Sequence, residues 1–316
     1  MTEKTKLKGA KMKITYDKTI EKSCGFLFAR WSAGAKAFEH LVPPEKRIIS
    51  DPFARYFAGK VGMQTVNMMQ SINPSIRKAI VLRARYIDDF SRRCLNEGFE
   101  QVVLLGAGYD SRFFRLKEFH NAKIFELDLN STQVIKKTLT RRLLGRLPQN
   151  VVYVSIDFSK DSITEKLMNN GFEIHKRSLF VWEGVTLFLN KDIVAETLGR
   201  LVGTRPGNRV IFDFVPDELI KGETDYRGNK MLLKLCTDLK EPLTFGCHPN
   251  EMKALLQNLG YQKVRIINMR EVNHIYCDSD QIEDSYFFAS AEIGNGSSSQ
   301  SGYVNHGNLY VPANVG

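Results

Sequence analysis

Residues 101–116, QVVLLGAGYDSRFFRL, decide how this chain is read. A short apolar run stops at Gly106-Ala107-Gly108 and opens directly into what reads as a helix. A strand ending in a Gly-x-Gly turn lets a ligand lie against bare backbone, where a Cβ would block it. The segment therefore calls for a nucleotide-like ligand. The third glycine of the dinucleotide fingerprint is absent, since Tyr109, Asp110 and Ser111 follow Gly108.

Outward from that turn, strand-length apolar runs recur at 123–128, 151–157, 178–183 and 208–215 with helical patterns between them. Two more, at 262–268 and 285–292, have no helix between them. Five short buried strands alternating with helices specify a mostly parallel α/β sheet covered on both faces, and the last two runs read as a terminal antiparallel hairpin. The hundred residues before the first strand look largely helical, with Ile80, Ile87 and Leu95 among the apolar positions of a helix over 75–97. Asp51 and Pro52 mark a helix start, as N-cap and first helical residue. Residues 217–260 form a helical insertion in which Asn250 is expected to cap the helix that ends at Gly260. Both helical regions are placed over the carboxyl ends of the strands, where an open α/β sheet binds ligands.

The expected organisation is a mobile basic arm (1–22), one domain (23–293) and a disordered Gly-, Ser- and Asn-rich tail (294–316). Within the domain we expect a helical cap (23–100), a cofactor-binding core (101–216), the insertion (217–260) and the hairpin (261–293).

The chain has 316 residues, 43% of them hydrophobic, enough for a sizeable core, and a net charge of +10. Seven lysines fall in the first 22 residues, and a second basic cluster (Lys136, Lys137, Arg141, Arg142, Arg146) lies in a helical stretch over 131–147. There Val134, Ile135, Leu139, Leu143, Leu144 and Leu147 form an apolar stripe, which makes the basic residues a solvated outer face. No nucleic-acid-reading motif accompanies the charge, so nucleic acid is not the expected partner. No apolar run approaches 18 residues, and the stretch from Cys24 to Trp31 is broken by Arg30. Five cysteines without C-x-x-C spacing indicate neither disulfides nor a metal site, and a reducing cytoplasm fits.

The run Leu105-Gly106-Ala107-Gly108-Tyr109-Asp110-Ser111-Arg112, followed by Arg115-Leu116, closely resembles the signature of the leucine carboxyl methyltransferase family of S-adenosylmethionine-dependent O-methyltransferases. Three further segments resemble family motifs in the right order. They are Asp51-Pro52-Phe53-Ala54, Arg83-Ala84-Arg85 with Asp88-Asp89, and Glu183-Gly184-Val185 with Phe188-Leu189. Ser111 replaces the more usual Thr, and Phe188 the usual Tyr. The resemblance runs from about residue 26 to about 290 and is that of a bacterial or archaeal small-molecule member. It implies a Rossmann-like class I methyltransferase sheet with a helical lid, S-adenosyl-L-methionine as cofactor, and a small-molecule carboxylate or hydroxyl as methyl acceptor.

That cofactor presents a carboxylate and amine, a sulfonium, a ribose diol and an adenine, and the chain offers a partner for each. Gly106, Ala107 and Gly108 give the methionyl part bare backbone. Asp128, twenty residues after Gly108, is placed to accept both ribose hydroxyls, or else to cap the next helix. Asp157 and Phe158 suit an adenine amino group and ring, although Asp157 is equally suited to capping the helix that follows. Glu183, at a strand's carboxyl end, is costly to bury unless paired, and a cationic ligand would supply the partner. The resemblance to the family's Arg-x-Arg-x-x-Asp-Asp segment makes Arg83 the first candidate to clamp the methionyl carboxylate and Arg85 the alternate, and it offers Lys36 as a second cation.

Two rivals share parts of this pattern. An NAD(P)-dependent oxidoreductase would use the Gly-x-Gly turn and Asp128, but does not explain Asp157-Phe158 together with Glu183. A methyltransferase fold without activity could serve as a basic nucleic-acid-binding module.

Overall fold

The computed structural model describes residues 25–295 except 74, 225–227, 239–240, 278–281 and 283–285. The expected basic arm, and all but the first two residues of the expected tail, lie outside the described residues. Seven strands form one sheet: β1 (Gln101–Leu105), β2 (Lys123–Asp128), β3 (Val151–Ser155), β4 (Ser178–Trp182), β5 (Arg209–Phe214), β6 (Tyr261–Asn268) and β7 (Phe287–Ile293). Their spatial order is β3-β2-β1-β4-β5-β7-β6. Neighbours among the first five are parallel, and β7 runs antiparallel to both β5 and β6. The chain crosses from β3 to the far side of β1, so strand order reverses between β1 and β4. A crevice opens there at the carboxyl ends.

Side chains alternate across each strand. Val103 and Leu105, with Phe125, Phe180 and Phe212, face α6 (Ile163–Asn169), α7 (Lys191–Val202) and α10 (Pro249–Asn258), which contribute Leu167, Leu198 and Met252. Val102 and Leu104, with Ile124, Val181 and Ile211, face α3 (Ser75–Asn96), which contributes Leu82 and Ile87. Because α3 occupies that face, the helix expected after the glycine turn is cut to α4 (Arg112–Arg115) and a 3-10 turn at Lys117–Asn121. The last two strands are adjacent and antiparallel, as expected, but α11 (Met269–Tyr276) lies between them in sequence. It starts on a capping box of Asn268 and Glu271, and its eight residues are too few for a helical period to stand out.

The helical cap contains α1 (Gly25–Phe38) and α2 (Ala54–Ile72) as well as α3. Helix α2 starts later than expected, at Ala54 with Phe53 in the N-cap position and Pro52 in the turn before it, while Asp51 Oδ1 accepts from the Phe53 and Ala54 amides at 3.1 and 2.9 Å. In the insertion, α8 (Asp217–Lys221) and α9 (Asn229–Asp238) precede α10. The α10 cap is His248 and not Asn250. Pro249 occupies the first helical position, and His248 Nδ1 accepts from the Asn250 amide at 3.2 Å.

The basic helix also departs from expectation. It is α5 (Asn130–Leu144), and its buried residues are Thr132, Gln133, Lys136 and Thr140, while Val134 and Leu144 are exposed. Gln133 turns inward to donate to the Glu126 and Val154 carbonyls, both at 2.8 Å, and Lys136 pairs with Glu126 at 2.7 Å. Of the expected stripe, Ile135 and Leu139 pack against the cluster of Phe57 and Tyr109, but these polar anchors turn the helix so that Val134 and Leu144 face outward. Burial pushes the Glu126 carboxyl from 4.5 up to about 7, against the pull of Lys136. The folded state then binds more protons than the unfolded chain between these values, so this group's contribution to stability falls as pH rises from about 4.5 to about 7. Urea unfolding across that range should show a decline that Glu126→Gln removes. An unchanged decline in the variant would assign it to another group.

Candidate active site

A cavity of about 670 Å³ opens at the carboxyl ends of β1 to β4, and α1, α2, α3, α8 and α9 contribute to its walls. Gly106, Ala107, Gly108, Asp128, Asp157, Phe158, Glu183 and Arg83 all line it, as does Lys36. Arg85 does not. It points away, donating to Asp89 at 2.9 Å and to the Ile48 carbonyl at 2.8 Å, with its guanidinium over the Tyr276 ring. In a helix, positions two apart face different sides.

The glycine turn has an internal as well as a ligand-facing reason. Gly106 has φ 69°, and a Cβ there would lie 2.4 Å from Val185. The Gly108 amide donates to Asp128 Oδ2 at 2.5 Å and the Leu129 amide to Oδ1 at 2.7 Å. Asp128 thus ties the ends of β1 and β2 together and also takes a bond from the Thr132 side chain, so three of its roughly four acceptor sites are used within the protein. Burial pushes its carboxyl up, and the Gly108 and Leu129 amides work against this.

At the end of β3, Asp157 accepts from the Ser159 amide and hydroxyl and from Lys160. Those bonds to Lys160 and Ser159 hold its carboxyl down to about 2. It therefore organises the turn over 157–161, whereas α6 is capped by Ser162. Phe158 packs on Trp182 with ring centroids 5.9 Å apart.

Glu183 finds its partners within the protein, which corrects the expectation that a ligand must supply them. It contacts Arg83 Nε at 3.2 Å and makes a close ion pair with Arg112. Burial pushes the Glu183 carboxyl up, but Arg112, then Arg83 and Lys36, outweigh it and hold the group well below the usual range. Arg83 also reaches Asp213 at 3.3 Å, and the Gly184 amide donates to the same carboxylate at 2.6 Å. Arg112 continues to Asp88 at 2.9 Å and to Asp110. Arg115 pairs with Asp88 and lies 3.6 Å from Asp51, which is itself 3.8 Å from Lys36. Among the described residues four cations (Lys36, Arg83, Arg112, Arg115) meet five carboxylates (Asp51, Asp88, Asp110, Glu183, Asp213). Burial pushes the Asp213 carboxyl up and Arg83 works against this, and with all five ionised the network carries one excess negative charge.

The sequence reading gave no role in this network to Arg112, Arg115, Asp88 or Asp110, although all four lie inside the matched motifs. Their signal was charge in segments that otherwise read as buried. Asp213 had a similar signal, a carboxylate inside the apolar run 208–215.

A family model described as leucine carboxyl methyltransferase matches residues 29–202, from α1 through α7. The chain belongs to the leucine carboxyl methyltransferase family. The match is narrower than the resemblance expected over 26–290, and β5 to β7 fall outside it. A relative from Bacillus subtilis (strain 168), named "Putative S-adenosyl-L-methionine-dependent methyltransferase YktD", is 25% identical over 196 residues, covering 61% of this chain and 64% of that protein. A similarly named protein of Mycolicibacterium paratuberculosis (strain ATCC BAA-968 / K-10) is 30% identical over 205 residues, covering 58% of this chain and 63% of its own length. The chain spans less than two thirds of these two relatives. Among solved structures, a DUF574 family protein from Streptomyces avermitilis MA-4680 superposes with a TM-score of 0.62 at 14% identity, covering 86% of this chain and 98% of that one. A "putative methyltransferase" from Thermobifida fusca YX gives 0.59 at 12% identity, covering 84% and 94%. At such identities the likeness is one of fold.

Among the described residues no group of His, Cys, Asp and Glu is placed to hold a metal, and no helix is long and apolar enough to cross a membrane.

Proposed function

We propose that this family member is a cytoplasmic S-adenosylmethionine-dependent O-methyltransferase acting on a carboxylate or hydroxyl of a small molecule. The supporting observation is that Arg83, Gly106, Asp128, Asp157 and Glu183 line one cavity. Asp128 would hold the ribose, Asp157 and Phe158 the adenine, the backbone at Gly106–Gly108 the methionyl chain, and Arg83 with Glu183 its carboxylate and ammonium. A zwitterion fits an existing ion pair without adding net charge there, and the cofactor's extra sulfonium charge matches the single excess negative charge of the network. A pyrophosphate fits poorly. Asp110 already occupies the α4 N-terminus, accepting from the Arg112 amide at 2.7 Å, and the nearby guanidinium groups are paired with carboxylates. This disfavours the dinucleotide alternative.

The bound cofactor supplies an electrophilic methyl group on a sulfonium. An ionised acceptor carboxylate is already a nucleophile and needs no general base, whereas a hydroxyl acceptor would have to arrive ionised or give its proton to water as the new O–C bond forms. The protein's work is alignment and exclusion of water, which can contribute about 7–11 kcal/mol in favourable intramolecular cases. Incubation with methyl-tritiated cofactor and panels of carboxylic acids and phenols should give an organic-extractable product, base-labile for an ester or base-stable for an ether. Label found only on nitrogen or carbon would overturn the O-methyl assignment.

The clamp is separately testable. Arg83→Lys keeps the charge and loses the fork, so affinity for S-adenosylhomocysteine should fall by roughly tenfold, as loss of one charge-assisted bond predicts. Arg85→Lys should leave it within about twofold, a change inside the range of exposed ion pairs. The reverse order in calorimetry would exclude Arg83 as the clamp.

A further inference from the structure

We infer that Tyr286 receives the methyl acceptor, its hydroxyl donating a hydrogen bond to an ionised oxygen on an otherwise apolar small molecule. This rests on reading the cavity as a methyltransferase site. Tyr286 immediately precedes β7, which runs antiparallel to β5 with Phe287 opposite Phe214, so the chain enters β7 at the edge where β5 ends. The cavity opens at that edge, and Tyr286 lines it as a half-buried residue. Its carbonyl accepts from the Met269 amide at 2.8 Å, which fixes the residue against the start of α11. In the order β1-β4-β5-β7, Tyr286 stands three strand spacings, about 14 Å, from the glycine turn after β1. It therefore belongs to the half of the cavity away from Gly106 and Asp128.

Three titratable groups face the phenol. They are Arg83 of α3, whose guanidinium carbon lies 5.7 Å from the ring centroid, Asp213 of β5 and Cys236 of α9. Arg83 directs a hydrogen bond at the phenol oxygen, and a guanidinium cannot accept, so the phenol proton is left for another partner. Asp213 already takes Arg83 and the Gly184 amide. Among the described residues the hydroxyl is not one of the polar atoms sealed off without a partner, and Arg83 and Cys236 line the cavity beside it. Burial pushes the phenol up, against the pull of Arg83, which keeps it a neutral donor. The cations that line the cavity among the described residues, Lys36, Arg83 and Arg112, are all paired with carboxylates. Around the phenol the wall is apolar. Tyr286 packs with Phe28 and Phe188, whose ring centroids are 5.0 Å apart, on the cluster of Leu187, Val215 and Leu243. A neutral donor in such a wall favours an acceptor that is apolar except at one ionised oxygen.

The test compares 4-nitrophenol with nitrobenzene, which lacks the oxygen, on protein saturated with sinefungin, a cofactor analogue whose amine puts a positive charge where the sulfonium would be. At mildly alkaline pH, where 4-nitrophenol is ionised, it should bind at least about tenfold more tightly than nitrobenzene, as one hydrogen bond to a charged acceptor predicts. Tyr286→Phe should shrink that preference by about tenfold and raise the pH at which the bound ligand gains its phenolate absorbance by about one unit. A merely structural role would move both ligands alike. Should the variant fail to fold, the ligand pair on the unaltered protein decides. Equal or weaker binding of the phenolate, binding of neither ligand at about 1 mM, or a preference that survives substitution would overturn the inference. So would an equal loss of sinefungin affinity in the variant, which would assign Tyr286 to the cofactor. In a protein that still binds S-adenosylhomocysteine, such a failure leaves the methyltransferase reading intact. Absence of S-adenosylhomocysteine binding removes both.

Discussion

Replacing Arg112 with Met should cost about 3–5 kcal/mol of unfolding free energy at neutral pH, the range for breaking a buried ion pair from one side. Arg112 is 1% exposed and holds Asp88, Asp110 and Glu183 at once. Asp88 would keep Arg115 and Glu183 would keep Arg83, whereas Asp110 would lose its side-chain ion pair. Arg92→Met is the matched control, because Arg92 is 39% exposed beside Asp89 and should cost less than about 1 kcal/mol. The deficit should also depend on pH. Carboxylates left unpaired in the folded state have raised pKa values there and take up protons that the unfolded chain does not, so stability returns as pH falls. Urea unfolding at neutral pH and near pH 5 measures both effects. Equal losses for Arg92→Met and Arg112→Met would contradict the network as a stabilising unit.

Asp128→Ala should weaken S-adenosylhomocysteine binding by at least about tenfold. Bonds to a charged acceptor contribute about 1.5–3 kcal/mol each, and two ribose hydroxyls are assigned to this carboxylate. The fold adds a second reason, because Asp128 also holds the Gly108 and Leu129 amides. Its loss therefore loosens the backbone against which the methionyl chain would lie. A cofactor analogue lacking the ribose hydroxyls separates the two contributions, since it should lose less affinity than S-adenosylhomocysteine on substitution. Unchanged affinity in a folded Asp128→Ala protein would remove the ribose assignment.

The sheet was legible because its strands are short, apolar and separated by helical periods, and the glycine turn placed its first ligand-facing end. Elements whose residues answer to tertiary partners were not legible. The apolar stripe predicted the buried face of α5 only in part: Ile135 and Leu139 pack inward, but Val134 and Leu144 do not and Lys136 does, since Gln133 and Lys136 find specific partners in Glu126 and the sheet backbone. The helix after Gly108 was overestimated because α3, remote in sequence, already covers that face. Within the cavity, the strand-end positions of Gly106, Gly108, Asp128 and Asp157 follow from the apolar runs that precede them. The pairing of Glu183 does not, because its partners Arg83 and Arg112 lie 100 and 71 residues away. Its buried charge was evident in the sequence, but the identity of the neutralising group was a property of the fold.

Direct titration of the full chain tests the central claim most plainly. Calorimetry with S-adenosylhomocysteine should give saturable one-to-one binding at micromolar concentrations, weakened at least about tenfold in Asp128→Ala, while NAD and NADP give no heat beyond dilution. Saturable binding of a dinucleotide with none of S-adenosylhomocysteine would contradict it.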